Sequence, residues 1–312
     1  MENNSNLNTK NISDDEIDLR ELLQVVWSGK WLMFTIITVF FILASLYSIT
    51  LPNIYQSKAV LSPAGEQNAM NGAMRGYGSL AGLAGIALPT QNNASNSIKA
   101  IEKLKSLSFF QGSILPNIFL PDLMAVKSWD SVSNTISYDL ELYDESTQKW
   151  VRDYNFPQTQ IPSAQESFEI FIEDHLTVKE NKDTGFVTIS IKHQSPFIAQ
   201  AWTELVVKEI NNFFRLKDKT ESQAAINFLN TQLSQTNFAE IREVVAQLLQ
   251  ENMKQLTLIE VTDYYVFGYI DPPAAMEKEH EPSRASIILL GAFCGFILGF
   301  VILIIKYFYK NE

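Results

Sequence analysis

The sequence predicts an α/β domain that carries a long helical region and is anchored by two transmembrane helices, one near each end of the chain. Three observations lead there. Residues 31–51 and 285–305 are each 21 residues long, uncharged and flanked by Lys or Arg. Residues 176–192 alternate in polarity as a β-hairpin does. Residues 197–267 run for 71 positions without Gly or Pro and carry an apolar stripe at helical spacing.

Twenty-one helical residues rise about 31 Å, the thickness of a bilayer's hydrocarbon core. The first span is expected to be retained rather than cleaved, because 30 mostly polar residues precede it, with acidic Asp14, Asp15, Glu16 and Asp18 among them. Two spans divide the chain into tails 1–30 and 306–312 on one side and the 233-residue segment 52–284 on the other. Flanking charge leaves the orientation open: Arg20, Lys30, Lys306 and Lys310 stand against Lys58, Lys278 and Arg284, and long loops cross largely regardless of charge. Cys294, the only cysteine, lies inside the second span and excludes an intrachain disulfide.

With 24 basic and 35 acidic side chains the net charge is −11, which excludes an ordinary nucleic-acid binder. Segment 52–284 holds 19 basic and 28 acidic residues, so its surface repels lipid headgroups and nucleic acid alike. Its length suffices for a core of its own.

Along that segment, residues 55–61 read as a strand. Six of the 13 glycines follow (Gly65, Gly72, Gly76, Gly78, Gly82 and Gly85), forming either a mobile loop or a small-residue packing surface, and no Gly-Lys-Ser/Thr makes them a phosphate cradle. Residues 97–110 read as a helix with Ser97 as N-cap and Ile98, Ile101 and Leu104 on one face. Residues 111–165, with Pro116, Pro121, Pro157 and Pro162, read as short helices and irregular structure, and 164–174 as a helix. In the hairpin, 177–179 and 186–192 pair across a turn at 181–185, and Val187, Ile189 and Ile191 face the core. Ser195-Pro196 then starts a helix.

The stripe beyond is out of phase at 215–221 and again at 234–237. Either the long helical region 196–260 is one rod, about 90 Å for 60 residues, or two or three helices join at those breaks. A helix of that length cannot bury its whole stripe within its own chain, so it lies against a partner or a second pass of helix. A strand at 264–270 leads into Asp271-Pro272-Pro273 and back to the membrane.

Catalysis finds no nominee. His175, His193 and His280 lack metal-ligand spacing, Glu173-Asp174-His175 reads as a solvated helix end, and nothing marks a nucleophile, metal site or cofactor site. Two other patterns are candidates for function. Gly291, Gly295 and Gly299 recur on one face of the second span, a pattern that lets helix backbones approach, either against the first span or another protein's span; the alternative is a neutral lipid-facing row. Pro272, Pro273 and Pro282 form a juxtamembrane proline segment, read as a rigid joint relaying position between domain and membrane or as a plain linker.

Four segments carry a resemblance: Ile17-Asp18-Leu19-Arg20-Glu21-Leu22-Leu23 with Trp27 and Lys30; Lys182-Asp183-Thr184-Gly185-Phe186-Val187-Thr188-Ile189-Ser190 with Ser195-Pro196 and Ala199; residues 264–273 with Ile270-Asp271-Pro272-Pro273; and the glycine-spaced second span after Pro282. In order and spacing these resemble the polysaccharide co-polymerase family, the chain-length determinants of O-antigen and related bacterial surface polysaccharides. The chain departs from that pattern in having no further proline in 274–281, and its glycine-rich stretch resembles members fused to a tyrosine kinase. No Walker A motif occurs, since Gly29-Lys30 lacks both its upstream glycine and its Ser/Thr, so a kinase is not expected.

The resemblance implies an inner-membrane protein with cytoplasmic termini and a periplasmic α/β domain with a long protruding helix, assembled as a ring-forming homo-oligomer whose neighbours cover the helical stripe. It implies a non-catalytic regulator of the modal length of a lipid-linked polysaccharide, with a membrane polysaccharide polymerase and the lipid-linked glycan as further partners. The alternative is a component of polysaccharide export. A two-span sensor is not expected, because the 30 residues before the first span and seven after the second hold no signalling domain.

Overall fold

The computed structural model describes residues 27, 29–64, 93–262 and 264–311. The acidic cluster 14–18, the lead-in 17–23 and the glycine-rich stretch 65–85 lie outside the described residues. The chain forms two compact units, Asn53–His280 and the remainder up to Pro52 and from Glu281. The remainder contains helix α1 (Lys30–Thr50) and, at the other end of the chain, a second long apolar helix.

The larger unit is built on an antiparallel sheet of β1 (Tyr55–Pro63), β6 (Leu176–Glu180), β7 (Val187–His193) and β8 (Phe267–Asp271), in the order β6-β7-β1-β8. Register sets Ala59 beside Ile189 and Leu61 beside Val187. These four and Ile191 are fully buried, so the alternation read in the hairpin does put the Val and Ile face into the core.

Helix α2 spans Asn93–Leu104. Ser97 is not its N-cap: it lies inside the helix and is buried, on one face with Ala100, Ile101 and Leu104, whereas Ile98 points to solvent. The helical stretch breaks at Lys105-Ser106, where the Ser106 hydroxyl accepts the Phe109 N–H and starts a new turn, Leu107–Phe109.

Between residues 111 and 165 the structure adds two hairpins that have no counterpart in the sequence reading, β2 (Val126–Asp130) with β3 (Thr135–Tyr138) and β4 (Tyr143–Asp144) with β5 (Lys149–Trp150). Strands of two to five residues show no usable period. Their turns are closed by aspartates: Asp130 accepts from Val132 N–H at 3.0 Å, and Asp144 accepts from Ser146 N–H at 2.9 Å and Thr147 Oγ1 at 2.7 Å. The Ser146 and Thr147 hydroxyls hold the Asp144 carboxyl down at about 2.

Helix α3 (Ala164–Ile170) carries a full capping box between Ser163 and Glu166 and continues as a wider turn, Phe171–His175. Glu166 also takes both Nη atoms of Arg152 at 3.0 Å, and Arg152 donates to the carbonyls of Thr159 and Gln160. The Arg152 guanidinium lowers the Glu166 pKa. One side chain thus ties loop 153–162 to α3. Arg152→Met removes the tie at a cost of roughly 2–3 kcal/mol. Limited proteolysis is expected to cut that loop several-fold faster than wild type, and an unchanged rate would show that the tie is dispensable.

The 71-residue stretch is two helices. Helix α4 (Pro196–Gln235) has 40 residues, about 60 Å of helix. It gives way at Thr236, and α5 (Ala239–Val261) returns alongside it, antiparallel, as the Lys219–Glu260 ion pair and the Arg215 hydrogen bond to the Thr262 carbonyl demonstrate. Of the two phase breaks, only 234–237 is a turn. Across 215–221 the helix runs on, and the stripe shifts because the helix changes partner. Trp202, Val206, Val207, Ile210 and Phe214 face the sheet, whereas Ser222 and Ile226 are buried in the second half, alongside α5. The charged residues between serve the changeover, with Asp218 accepting from the Tyr265 hydroxyl at 2.6 Å. Ser195 is the N-cap residue of α4, but its side chain makes no cap bond.

Strand β8 starts at Phe267 rather than 264. Asn211 of α4 explains the late start, because its Oδ1 accepts the N–H groups of Val266 (2.7 Å) and Phe267 (3.0 Å) and its Nδ2 donates to the Phe267 carbonyl. The last helix is α6 (Arg284–Asn311).

Candidate functional site

Helices α1 and α6 are each long and apolar enough to cross a membrane. They pack antiparallel along one seam. Gly291 lies against Ala44, Gly295 against Phe40 and Ile37, and Gly299 against Met33 and Ile36. A β-carbon on Gly295 would stand 2.9 Å from Phe40 Cβ and 3.1 Å from the Ile37 backbone, and one on Gly299 would stand 3.4 Å from Met33 Cγ. The four-residue spacing keeps all three on one face, so the backbones close without a side chain between them. The seam ends at Leu303, which packs against Gly29 and is buried with Met33. In sequence Gly29 reads only as half of a failed phosphate loop, although its position four residues before Met33 places it on the same helix face. Thr35, Thr38 and Ser45 return their hydroxyls to their own helix, to the carbonyls of Trp31, Phe34 and Phe41. Within a bilayer such bonding would leave no bare donor.

Pro272 and Pro273 follow β8 in the larger unit, with Pro273 buried, while Pro282 belongs to the other unit, two residues before α6. The chain after Pro273 is laced back to the start of β1: Ser57 Oγ donates to the Ala274 carbonyl at 2.9 Å and His280 N–H to the Ile54 carbonyl at 2.7 Å.

Two histidines read as unrelated are neighbours. His175 and His193 stack with centroids 5.8 Å apart, and Trp202 meets both rings edge-on at 5.6 and 5.2 Å. Glu173-Asp174-His175 is therefore not simply a solvated helix end, since its histidine turns inward. The hairpin brings the two close: Leu176 pairs with Ile191, which sets His175 against the Lys192 backbone, one residue before His193. A turn centred near residue 183 already implied this. The His175 Nδ1 bonds the Lys192 carbonyl at 2.6 Å. The His193 Nδ1 accepts from Ser195 N–H and its Nε2 bonds the Asp122 carbonyl, both at 2.9 Å, which fixes the neutral ring with its hydrogen on Nε2. Burial lowers both pKa values, His193 to about 4. Among the described residues no three His, Cys, Asp or Glu side chains converge on a possible metal position.

Residues 15–111 match the family profile of the chain length determinant protein, Wzz. No curated protein matches the chain. Among solved structures, the chain is similar to a full-length bacterial polysaccharide co-polymerase at 15% identity and a TM-score of 0.41, over 95% of this chain and 99% of that one. It is also similar to a fragment of WzzB, the polysaccharide co-polymerase from Salmonella Typhimurium, at 13% identity and a TM-score of 0.36, over 73% of this chain and all of that one. The resemblance read from the sequence, to a Wzz-like co-polymerase, is borne out.

Proposed function

We propose that this chain is a non-catalytic regulator that sets the modal length of O-antigen or a related lipid-linked surface polysaccharide made by a separate membrane polymerase. The observation that carries the reading is the chain-length-determinant profile over residues 15–111, a stretch that takes in the first apolar helix and the central strand β1.

In this reading α1 and α6 span the inner membrane, both tails are cytoplasmic and segment 52–284 is periplasmic. The glycine seam locks the two spans of one subunit together, and the laced proline segment transmits the position of one unit to the other. Copies of the chain form a ring. Self-association is supported by the outer face of α5, where Ile241, Val244, Leu248 and Leu258 stay exposed beside the seam with α4. The ring acts through its surface and dimensions, holding polymerase or growing glycan for a limited extent before release.

A strain lacking the gene tests this on a gel of surface polysaccharide. Polymer still present with its preferred length lost is the expected result. Absent polymer would overturn regulation in favour of an export role.

A further inference from the structure

We propose that His175 and His193 form an acid-operated latch at the root of the long helix, released when His193 takes up a proton. His193 ends β7, two residues before α4 begins, and is 2% exposed. Its ring joins several elements at once. Nε2 holds the Asp122 carbonyl in the short helix Leu120–Met124, Nδ1 holds the Ser195 N–H at the head of α4, one face meets His175 and an edge meets Trp202 on α4. Across the ladder its partner is Tyr55, the first residue of β1.

The only nitrogen free to take a proton is Nδ1, and its lone pair is already accepting from Ser195. Protonation therefore replaces N–H···N with two opposed N–H groups and sets a cation at the positive end of a 40-residue helix. The surrounding charges offer little relief. The Asp122 carboxylate accepts from the Tyr138 hydroxyl at 2.6 Å and burial raises its own pKa, so acid discharges it as well. Asp174 favours a charged His175, an effect smaller than that of burial, and His175 itself opposes charge on His193. The closed joint requires a neutral His193 ring, whereas a histidine in the unfolded chain titrates near 6.5. The latch is thus fully closed above about 6.5 and is lost as the pH falls towards about 4.

The test uses the full chain in lipid nanodiscs and follows hydrogen exchange of the peptide containing Ser195 to Trp202 from pH 7.5 to 4, corrected for intrinsic exchange. Expected is a reversible, one-proton loss of protection of roughly tenfold or more between pH 6.5 and 4, with β1 and β7 peptides still protected. His175→Gln should move the midpoint to higher pH, because the ring that opposes charge on His193 is gone. His193→Asn, whose Oδ1 can still accept from Ser195, should show no transition. A flat wild-type profile, an unmoved midpoint in His175→Gln or an unchanged transition in His193→Asn overturns the latch. Should His193→Asn fail to fold, the wild-type profile and His175→Gln decide. The readout needs no polysaccharide, so it stands or falls apart from the function proposed above.

Discussion

Gly295→Leu is expected to abolish the preferred polysaccharide length while leaving the protein synthesised and inserted. Even a bare β-carbon at this position would lie 3.1 Å from the Cα of Ile37 and 2.9 Å from the Cβ of Phe40. Neither is the far end of a flexible side chain, so α1 as a whole must give way to the leucine. Helices in lipid have no hydrophobic gain from pairing and rely on such close contact. Overpacking of this kind costs about 1–3 kcal/mol, enough to shift a pair of spans out of register. Insertion is insensitive to the change because the apolar length is retained. A graded result is expected, with Gly295→Ala milder. Gly112→Leu serves as a silent control, since nothing lies within 4 Å of a β-carbon there. A normal length distribution in the Gly295→Leu strain would remove the packing role from the glycine row.

The second large effect is expected at Asn211→Leu. Leucine matches the volume but leaves the N–H groups of Val266 and Phe267 without their acceptor and the Phe267 carbonyl without a donor, all in the buried junction between α4 and β8. Each orphaned buried group costs roughly 1–3 kcal/mol, so a total of about 3–5 kcal/mol follows, allowing for local relaxation. Denaturant unfolding of the detergent-solubilised chain measures it. A loss under about 1 kcal/mol would mean that water or a shifted β8 replaces the amide. Asn211 carries no signal in the sequence, because it sits beside Ile210 within an otherwise ordinary helical stripe and what it bonds lies 55 and 56 residues further along the chain.

The two apolar helices, β1, the hairpin with its Val187, Ile189 and Ile191 face, and the start of a long helix at Ser195-Pro196 were legible because each rests on a local period or a local turn signal. Where the reading failed, the deciding interaction was distant. Ser97 looks like a cap until Leu104 and Ala100 are seen to share its buried face. The break in the stripe at 215–221 looks like a helix end, yet it marks where α4 leaves the sheet and meets α5. The small hairpins at 126–150 are too short for periodicity, although Asp130 and Asp144 with their following Ser and Thr residues are turn signals in their own right.

The amino-acid order alone determined which stretches are apolar enough for a bilayer, which alternate as strands and which coil with one greasy side, because those properties depend on neighbours within a turn or two of the backbone. Tertiary packing decided the rest. It chose a helical hairpin over a single rod, set Gly29 into the span seam opposite Leu303 and brought His175 onto His193 under Trp202. Each of these depends on which distant surface excludes water from a side chain, a quantity that no local window of sequence contains.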